Sequence, residues 1–398
     1  MNNSIIIIGA GIVGLATAVQ ILKRDPSLKV IILEKESEIA KHQTGNNSGV
    51  IHSGIYYKLG SLKATNCRKG YNMLLQFCNE NNIKYDICGK IIVATKESEL
   101  DYLETLFERG KANGLKNLKI LSAEEIKKIE PEVNAIKGIF VPQTGIIDYT
   151  EVSEGYKKFI EAKGGRIIFN CKVKEIKNNF EIIEIITNKK IFKAEKVISC
   201  AGLQSDRIAK LTNPELPLRI IPFKGEYFEL KENSRHKVKS LIYPVPDPAF
   251  PFLGVHFTRG INGSVECGPN AVFSFAREGY KKFSFNLKDF IDSVTWVGFL
   301  KVASKFWKVG AGEFYRSFYK PAFVKALQKL IPSIRAEELK KGGAGIRAQA
   351  CHKNGNLIDD FYIVESKNVI HICNAPSPAA TASLAIGEFI AAKVLPEN

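Results

Sequence analysis

Three glycines and one acid carry the first chemical signal in this chain. Gly9, Gly11 and Gly14 follow the apolar run Ile5-Ile6-Ile7-Ile8 in the spacing GxGxxG, and Glu34 closes the next apolar run. The three glycines serve different ends. Gly9 turns the chain sharply after a buried strand, Gly11 lets backbone approach a pyrophosphate, and Gly14 lets a helix pack close to the sheet. The amino end of that helix, which includes Ala10 and Ile12 in its approach, sets the positive end of its dipole against phosphate. A carboxylate about 20 residues beyond the last glycine accepts hydrogen bonds from ribose hydroxyls and repels a 2′-phosphate. A lone GxGxxG says little, but here strand, helix, second strand and acid are all in place. The implied chemistry is the binding of a dinucleotide redox cofactor.

The elements needed to position these residues can be read along the chain. Leu15, Ala16, Val19 and Leu22 share one helical face that stops at Arg24-Asp25-Pro26, and Val30-Ile31-Ile32-Leu33 is a second parallel strand. The stretch from His42 to Tyr57 is rich in glycine and polar side chains yet holds the apolar pair Val50-Ile51, which suits a loop that lines a ligand. A helix is expected over about 61–81, a strand over 90–95, and helices over 100–112 and 123–129, the last opened by the capping box Ser122 to Glu125. Beyond Gly145 the pattern gives a helix over 152–162, a strand over 166–173, a hairpin through Asn178-Asn179 and Asn188, and a strand over 196–200 running into a second close-approach turn at Ala201-Gly202. From Pro217 to about Phe257 the runs become short and alternating, with Pro244, Pro246, Pro248 and Pro251, as in an antiparallel sheet. Gly342 to Arg347 returns to the first style, followed by a strand over 369–373 and a helix over 379–394. The fold class is therefore α/β. A discontinuous Rossmann-like cofactor domain is expected from 1–88, 145–216 and 341–398, with a second, substrate-binding domain on an antiparallel mixed sheet from 89–144 and 217–340.

A chain of 398 residues with 45% hydrophobic content can build two lobes with real cores. The eight cysteines are scattered without a CxxC pair, as for small buried side chains in a reducing compartment, so neither a disulfide framework nor a structural metal is expected. The first strand begins at Ser4 or Ile5, and the expectation is a cytoplasmic protein without a signal or transit peptide. The net charge of +16 suits attraction to polyanions, to anionic lipid or to an acidic substrate, and equally a lysine-rich surface that is only solvated; composition does not choose among these. Lysines are spread throughout rather than interleaved with aromatics, so no nucleic-acid partner is expected.

The cofactor fingerprint, the loop ending in Asn47-Ser48-Gly49-Val50-Ile51-His52, the late Ala344-Gly345-Ile346-Arg347 and the final strand-loop-helix together resemble FAD-dependent oxidoreductases of the D-amino-acid oxidase and glycine oxidase superfamily. Six runs sharpen the match: His42 to Gly45, Val50 to Tyr57, Phe252 to Thr258, Gly268 to Val272, Ala344 to Ala350, and Asn374 to Thr381. These resemble the L-2-hydroxyglutarate dehydrogenase (oxidase) family over nearly the whole chain. The departure is Asn46-Asn47, where members of that family often carry His-Asn.

The resemblance implies a flavoenzyme of the glutathione-reductase-type fold that oxidises L-2-hydroxyglutarate to 2-oxoglutarate and passes electrons to a membrane quinone pool or to oxygen. It implies an FAD site drawing on the glycine cradle and Glu34, on Lys35, Thr44, Ser48, Gly49, Val50 and Val173, on Ala201 and Gly202, and on Ser377, Pro378, Ala379, Ala380 and Thr381. The amides of Ala379 to Thr381, at the start of the final helix, would face the negative charge of the reduced ring. Oxidation of a 2-hydroxy acid also needs a base and a cation for the carboxylate. Arg347, in a strand-like segment after glycines, suits a two-bond grip on a carboxylate. His52 and His256 are the two candidates for the base among six histidines, with Tyr57 assisting. A diacid needs a second anchor, for which Arg259, Arg277 and Lys224 are near in sequence. Two other readings keep the flavin: an amine oxidase acting on glycine or sarcosine, and a non-catalytic flavin-binding protein. A nicotinamide dehydrogenase would not need the extra loop and terminal helix.

Between 290 and 330 lie Trp296, Phe299, Leu300, Phe306, Trp307, Phe314, Tyr315, Phe318, Tyr319 and Phe323, interrupted by seven lysines and arginines. No run approaches the ~18 uncharged residues needed to span a bilayer. The pattern suits either a peripheral membrane contact at headgroup level or an internal packing face.

Overall fold

The computed structural model describes residues 4–179, 182–247 and 254–396. Pro248, Pro251 and the Phe252-Leu253 start of one motif lie outside them.

The first sheet has six strands, in the order Tyr362–Glu365, Val369–Asn374, Lys196–Ser199, Ser4–Ile8, Lys29–Leu33 and Arg166–Ile168. All neighbours pair in parallel except the edge strand Tyr362–Glu365. The four isoleucines after Ser4 are buried on both faces, as a central parallel strand requires. Ile5 and Ile7 face a helical core built from Ile12–Arg24, Leu62–Glu80, Tyr149–Ala162 and Ser383–Val394. Ile6 and Ile8 alternate to the other face, against a three-stranded sheet of Val173–Asn179, Ile182–Thr187 and Ile191–Ala194. Here the expected single strand over 166–173 is corrected. The chain leaves the first sheet after Ile168, passes through a left-handed Asn170 at φ 52°, and enters the small sheet at Val173.

The second sheet is larger. Leu218–Leu230 pairs along its length with Leu339–His352, and further strands run through Val265–Gly268, His256–Arg259, Leu241–Pro244, Lys90–Ala94, Lys137–Val141 and Lys119–Ser122. It is mostly antiparallel, with Leu241–Pro244 parallel to Lys90–Ala94. Residues 341–352 therefore go with this sheet and not with the first, where the pattern of glycines places them. The capping box at Ser122 and Glu125 forms as expected.

The final helix begins at Ser383, four residues later than expected. Ala379 N–H donates to Pro376 O and Ala382 N–H to Pro378 O, each at 2.9 Å, so the segment before it is a pair of tight turns. The Thr381 hydroxyl, meanwhile, is tied to the Tyr149 hydroxyl at 2.7 Å and accepts the His52 amide at 3.1 Å.

Candidate active site

One cavity of about 1370 Å³ draws walls from both sheets. Its glycine-rich end tests whether a dinucleotide fits. A Cβ on Gly9, which has φ 103°, would meet Cys200 O at 2.5 Å, and one on Gly14 would meet Gly9 O at 2.1 Å, so the protein's own packing demands both glycines. Gly11 is different: its Cβ would meet only the Thr44 hydroxyl, at 3.5 Å. Nothing in the protein excludes a side chain there, which is what a glycine kept for an approaching ligand looks like. The Glu34 carboxylate accepts Ala10 N–H at 2.7 Å and Glu36 N–H at 2.9 Å, and still borders the cavity. Thr44 Oγ1 accepts Ile12 N–H at 3.1 Å. Among the described residues, the first-turn amides of Val13 and Gly14 have no acceptor, leaving donors at the positive end of the helix. These residues fit a bound dinucleotide.

Most of the expected cofactor residues border this space. Gly9, Gly11, Ile12, Glu34, Lys35, Thr44, Ser48 and Val50 do so, as do Val173, Ala201, Gly202, Ser377, Pro378, Ala379 and Ala380. Ala10, Gly14, Gly49 and Thr381 lie behind the wall. Thr381 is fully buried and acts as the latch described above. Lys35 bonds Glu36, Glu278 at 3.0 Å and His42 at 3.1 Å; burial opposes its charge, but the two carboxylates outweigh it and hold its pKa above the usual value. The expected role for Ala379, Ala380 and Thr381 as a helix start is corrected, since they precede the helix and the Ala379 amide is already engaged.

The other end of the cavity gathers His52, Tyr57, His256 and Arg347. Arg347 sits inside the long strand Leu339–His352, opposite Phe223, so its backbone is held by a continuous ladder. Burial lowers its pKa, while Tyr227 and Glu313 act in the opposite sense; guanidinium stays charged through any such change. His256 Nδ1 lies 2.8 Å from Gly254 O. A carbonyl can only accept, so Nδ1 carries the proton and Nε2 keeps a lone pair, with no protein partner among the described residues. The ring lies against Tyr243, 4.0 Å between centroids and tilted by 31°. Burial, foremost, pulls the His256 pKa down to about 3, so it is neutral at physiological pH. His52 is also pulled down to about 3, mainly by burial, and its Nε2 meets the Ser377 hydroxyl at 3.2 Å. Tyr57 shares that serine, and burial keeps its phenol protonated.

None of the three expected second anchors reaches the cavity. Arg277 is fully buried and forked onto Asp206, with one bond at 2.8 Å. Lys224 pairs with Glu226 at 3.5 Å, and Arg259 is half-exposed against Asp86 at 3.4 Å. Their sequence positions near the motifs are no guide, because partners as distant in the chain as Asp206 and Asp86 claim them. What the motifs do not reveal is that Tyr56, inside one of them, forms a wall with Tyr227 and Tyr243, which lie outside them, or that a lysine sits behind it. Lys90 heads the run Lys-Ile-Ile-Val-Ala, all five residues buried. A charge inside an otherwise apolar strand is the available signal.

Comparison with known proteins is consistent over the whole chain. The family model described as FAD dependent oxidoreductase matches residues 4–393. An L-2-hydroxyglutarate dehydrogenase of Indibacter alkaliphilus is 53% identical over 97% of each chain. The Escherichia coli K12 protein of that name is 44% identical, covering 98% of this chain and 92% of its own, and the human mitochondrial one 43%, covering 98% and 88%. Among solved structures, L-α-glycerophosphate oxidase of Mycoplasma pneumoniae with FAD bound superposes with a TM-score of 0.79 at 24% identity, covering 99% of this chain and 95% of that one. Glycine oxidase of Bacillus cereus gives 0.72 at 15%, covering 98% and 94%.

Proposed function

The chain belongs to the FAD dependent oxidoreductase family and, within it, to the L-2-hydroxyglutarate dehydrogenases, and we propose that it oxidises L-2-hydroxyglutarate to 2-oxoglutarate. The observation that carries this reading is the meeting, on one cavity, of the glycine cradle with a strand-held guanidinium and a histidine whose Nε2 lone pair is unclaimed.

Bound FAD supplies a two-electron acceptor at its isoalloxazine ring. The protein's share is orientation and proton transfer. Arg347 grips the carboxylate next to the reacting carbon with two parallel bonds, fixing which face of that carbon is presented. His256, neutral and oriented by Gly254 O, takes the hydroxyl proton on Nε2. His52 and Tyr57, both on Ser377, hold the turn at 376–380 and donate from the protonated phenol. Anaerobic addition of L-2-hydroxyglutarate is expected to bleach the flavin band near 450 nm, while the D enantiomer, glycine and sarcosine leave it intact. Bleaching by an amine, or by none of the four, removes the proposal.

The same reading places electron delivery at a membrane surface, to quinone or, less efficiently, to oxygen. No described helix is long and apolar enough to cross a membrane. The helices Leu287–Val294, Val297–Phe318 and Lys320–Leu327 divide their large side chains instead. Phe323 is buried and Trp296 donates to Cys351 O, whereas Trp307 is 63% and Phe318 65% exposed, together with Leu300 and Tyr315. Lys301, Lys305 and Lys308 lie exposed among them. Outward aromatics with cationic neighbours suit insertion among anionic headgroups. The protein is expected to co-sediment with phosphatidylglycerol vesicles at low salt, and Trp307→Ser with Phe318→Ser to release it; a wild type that stays in the supernatant at low salt ends this part of the reading.

A further inference from the structure

Lys90 is 1% exposed, and among the described residues its ammonium has neither a carboxylate in ion-pair range nor a hydrogen-bond acceptor, although its backbone is paired in the sheet. Its ammonium ends against two aromatic faces, 4.4 Å from the centroid of Tyr56 and 4.9 Å from that of Tyr243. Ring faces attract a cation, but they return only part of what an ammonium loses on leaving water. The charge is thus left short of compensation. Burial correspondingly pulls its pKa down to about 7.

The position of this charge is informative. Tyr56, Tyr243 and His256 all border the cavity, with Lys90 directly behind the two tyrosine rings, and Tyr243 lies against His256 at 4.0 Å between centroids. Both His52 and His256 feel the ammonium, which acts with burial to keep them neutral. Of the other cations, Lys63 pairs with Asp359 at 2.7 Å, and Arg277, Lys224 and Arg259 have the acids named above. A dicarboxylate brought into the cavity carries two charges out of water, and one guanidinium answers one of them. We propose that Lys90 is the cation that answers the second carboxylate of a dicarboxylic substrate, making the site selective for diacids over monoacids. This rests on the reading of the cavity as a 2-hydroxy diacid site.

The experiment compares equilibrium binding of glutarate, a five-carbon diacid with no hydroxyl to oxidise, and pentanoate, the matching monoacid. It uses the flavin-loaded protein, read by perturbation of the flavin spectrum and by calorimetry, with the wild type, Lys90→Met and Lys90→Gln. The wild type is expected to favour glutarate by about 100-fold, on the scale of a desolvated charge pair. Either substitution should reduce that preference to a few-fold by weakening glutarate and sparing pentanoate. The thermal midpoint of Lys90→Met should hold or rise, because an uncompensated buried charge has been removed. Equal weakening of both acids, a lowered midpoint in both variants, or an unchanged preference overturns the assignment. The two readings separate cleanly. A wild type that prefers glutarate through Lys90 but leaves L-2-hydroxyglutarate unoxidised fails only as to the reaction, whereas one that oxidises it with the preference intact in the variants fails only as to Lys90.

Discussion

Arg347→Met is expected to lower kcat/KM for L-2-hydroxyglutarate by about 10³-fold while the protein stays yellow. Two charge-assisted hydrogen bonds of about 1.5–3 kcal/mol each are lost, and each 1.36 kcal/mol is about tenfold in rate. The loss should fall on both KM and kcat, since a carboxylate no longer gripped leaves the hydroxyl free to drift from His256 Nε2. Flavin retention follows from position: Arg347 lies on the ladder between Leu218–Leu230 and Leu339–His352, away from the glycine turn. Arg347→Lys should recover only part of the activity, because an ammonium restores charge but not the planar fork. Steady-state kinetics on flavin-saturated enzyme decides the matter, and unchanged kinetic constants would remove Arg347 from the site.

Gly11→Val should yield a folded but colourless protein. Its backbone, at φ −74° and ψ 170°, accepts any L residue, and a Cβ meets only the Thr44 hydroxyl at 3.5 Å. The added methyls occupy the space through which a pyrophosphate would approach the chain, so affinity for FAD should fall by about 10³-fold or more. Gly14→Ala is the contrasting case. There the Cβ would sit 2.1 Å from Gly9 O and 3.3 Å from Cys200 Cβ, contacts only a backbone shift relieves. A destabilisation of about 3 kcal/mol or more is expected, seen as a lowered denaturation midpoint even without cofactor. Absorbance at 450 nm beside circular dichroism separates the two outcomes. A Gly11→Val protein as yellow as the wild type would mean that this glycine serves no ligand.

Much of the cofactor end is legible in the sequence because its interactions are short in range. Strand, turn, helix and second strand fall within residues 4–33, and Glu34 needs only to reach Ala10. The Ser122 capping box is local in the same way. Sequence patterns mislead where distant chain decides the outcome. They assign residues 341–352 to the wrong sheet because the partner strand, Leu218–Leu230, lies more than a hundred residues earlier and nothing local announces that ladder. They run the strand over 166–173 unbroken because the left-handed Asn170 and its amide bond to Glu36 O are invisible to a hydrophobic count. They start the final helix too early because Thr381, a tolerable helix residue, is held instead by Tyr149, 232 positions away. Among site residues, His256 and Arg347 stand out by residue type and motif. Lys90 does not, because it heads a run whose other members are plain core.

The two ends of the fold also meet. Helix Ile12–Arg24 packs against helix Ser383–Val394 so closely that a Cβ on Gly387 would lie 2.6 Å from Ala16 O. Order of synthesis and order of completion therefore run in opposite directions. Of these two helices, the one translated earlier waits longest for its apolar flank to be covered, and a nascent chain must carry that flank bare until the codons of its late partner have been read.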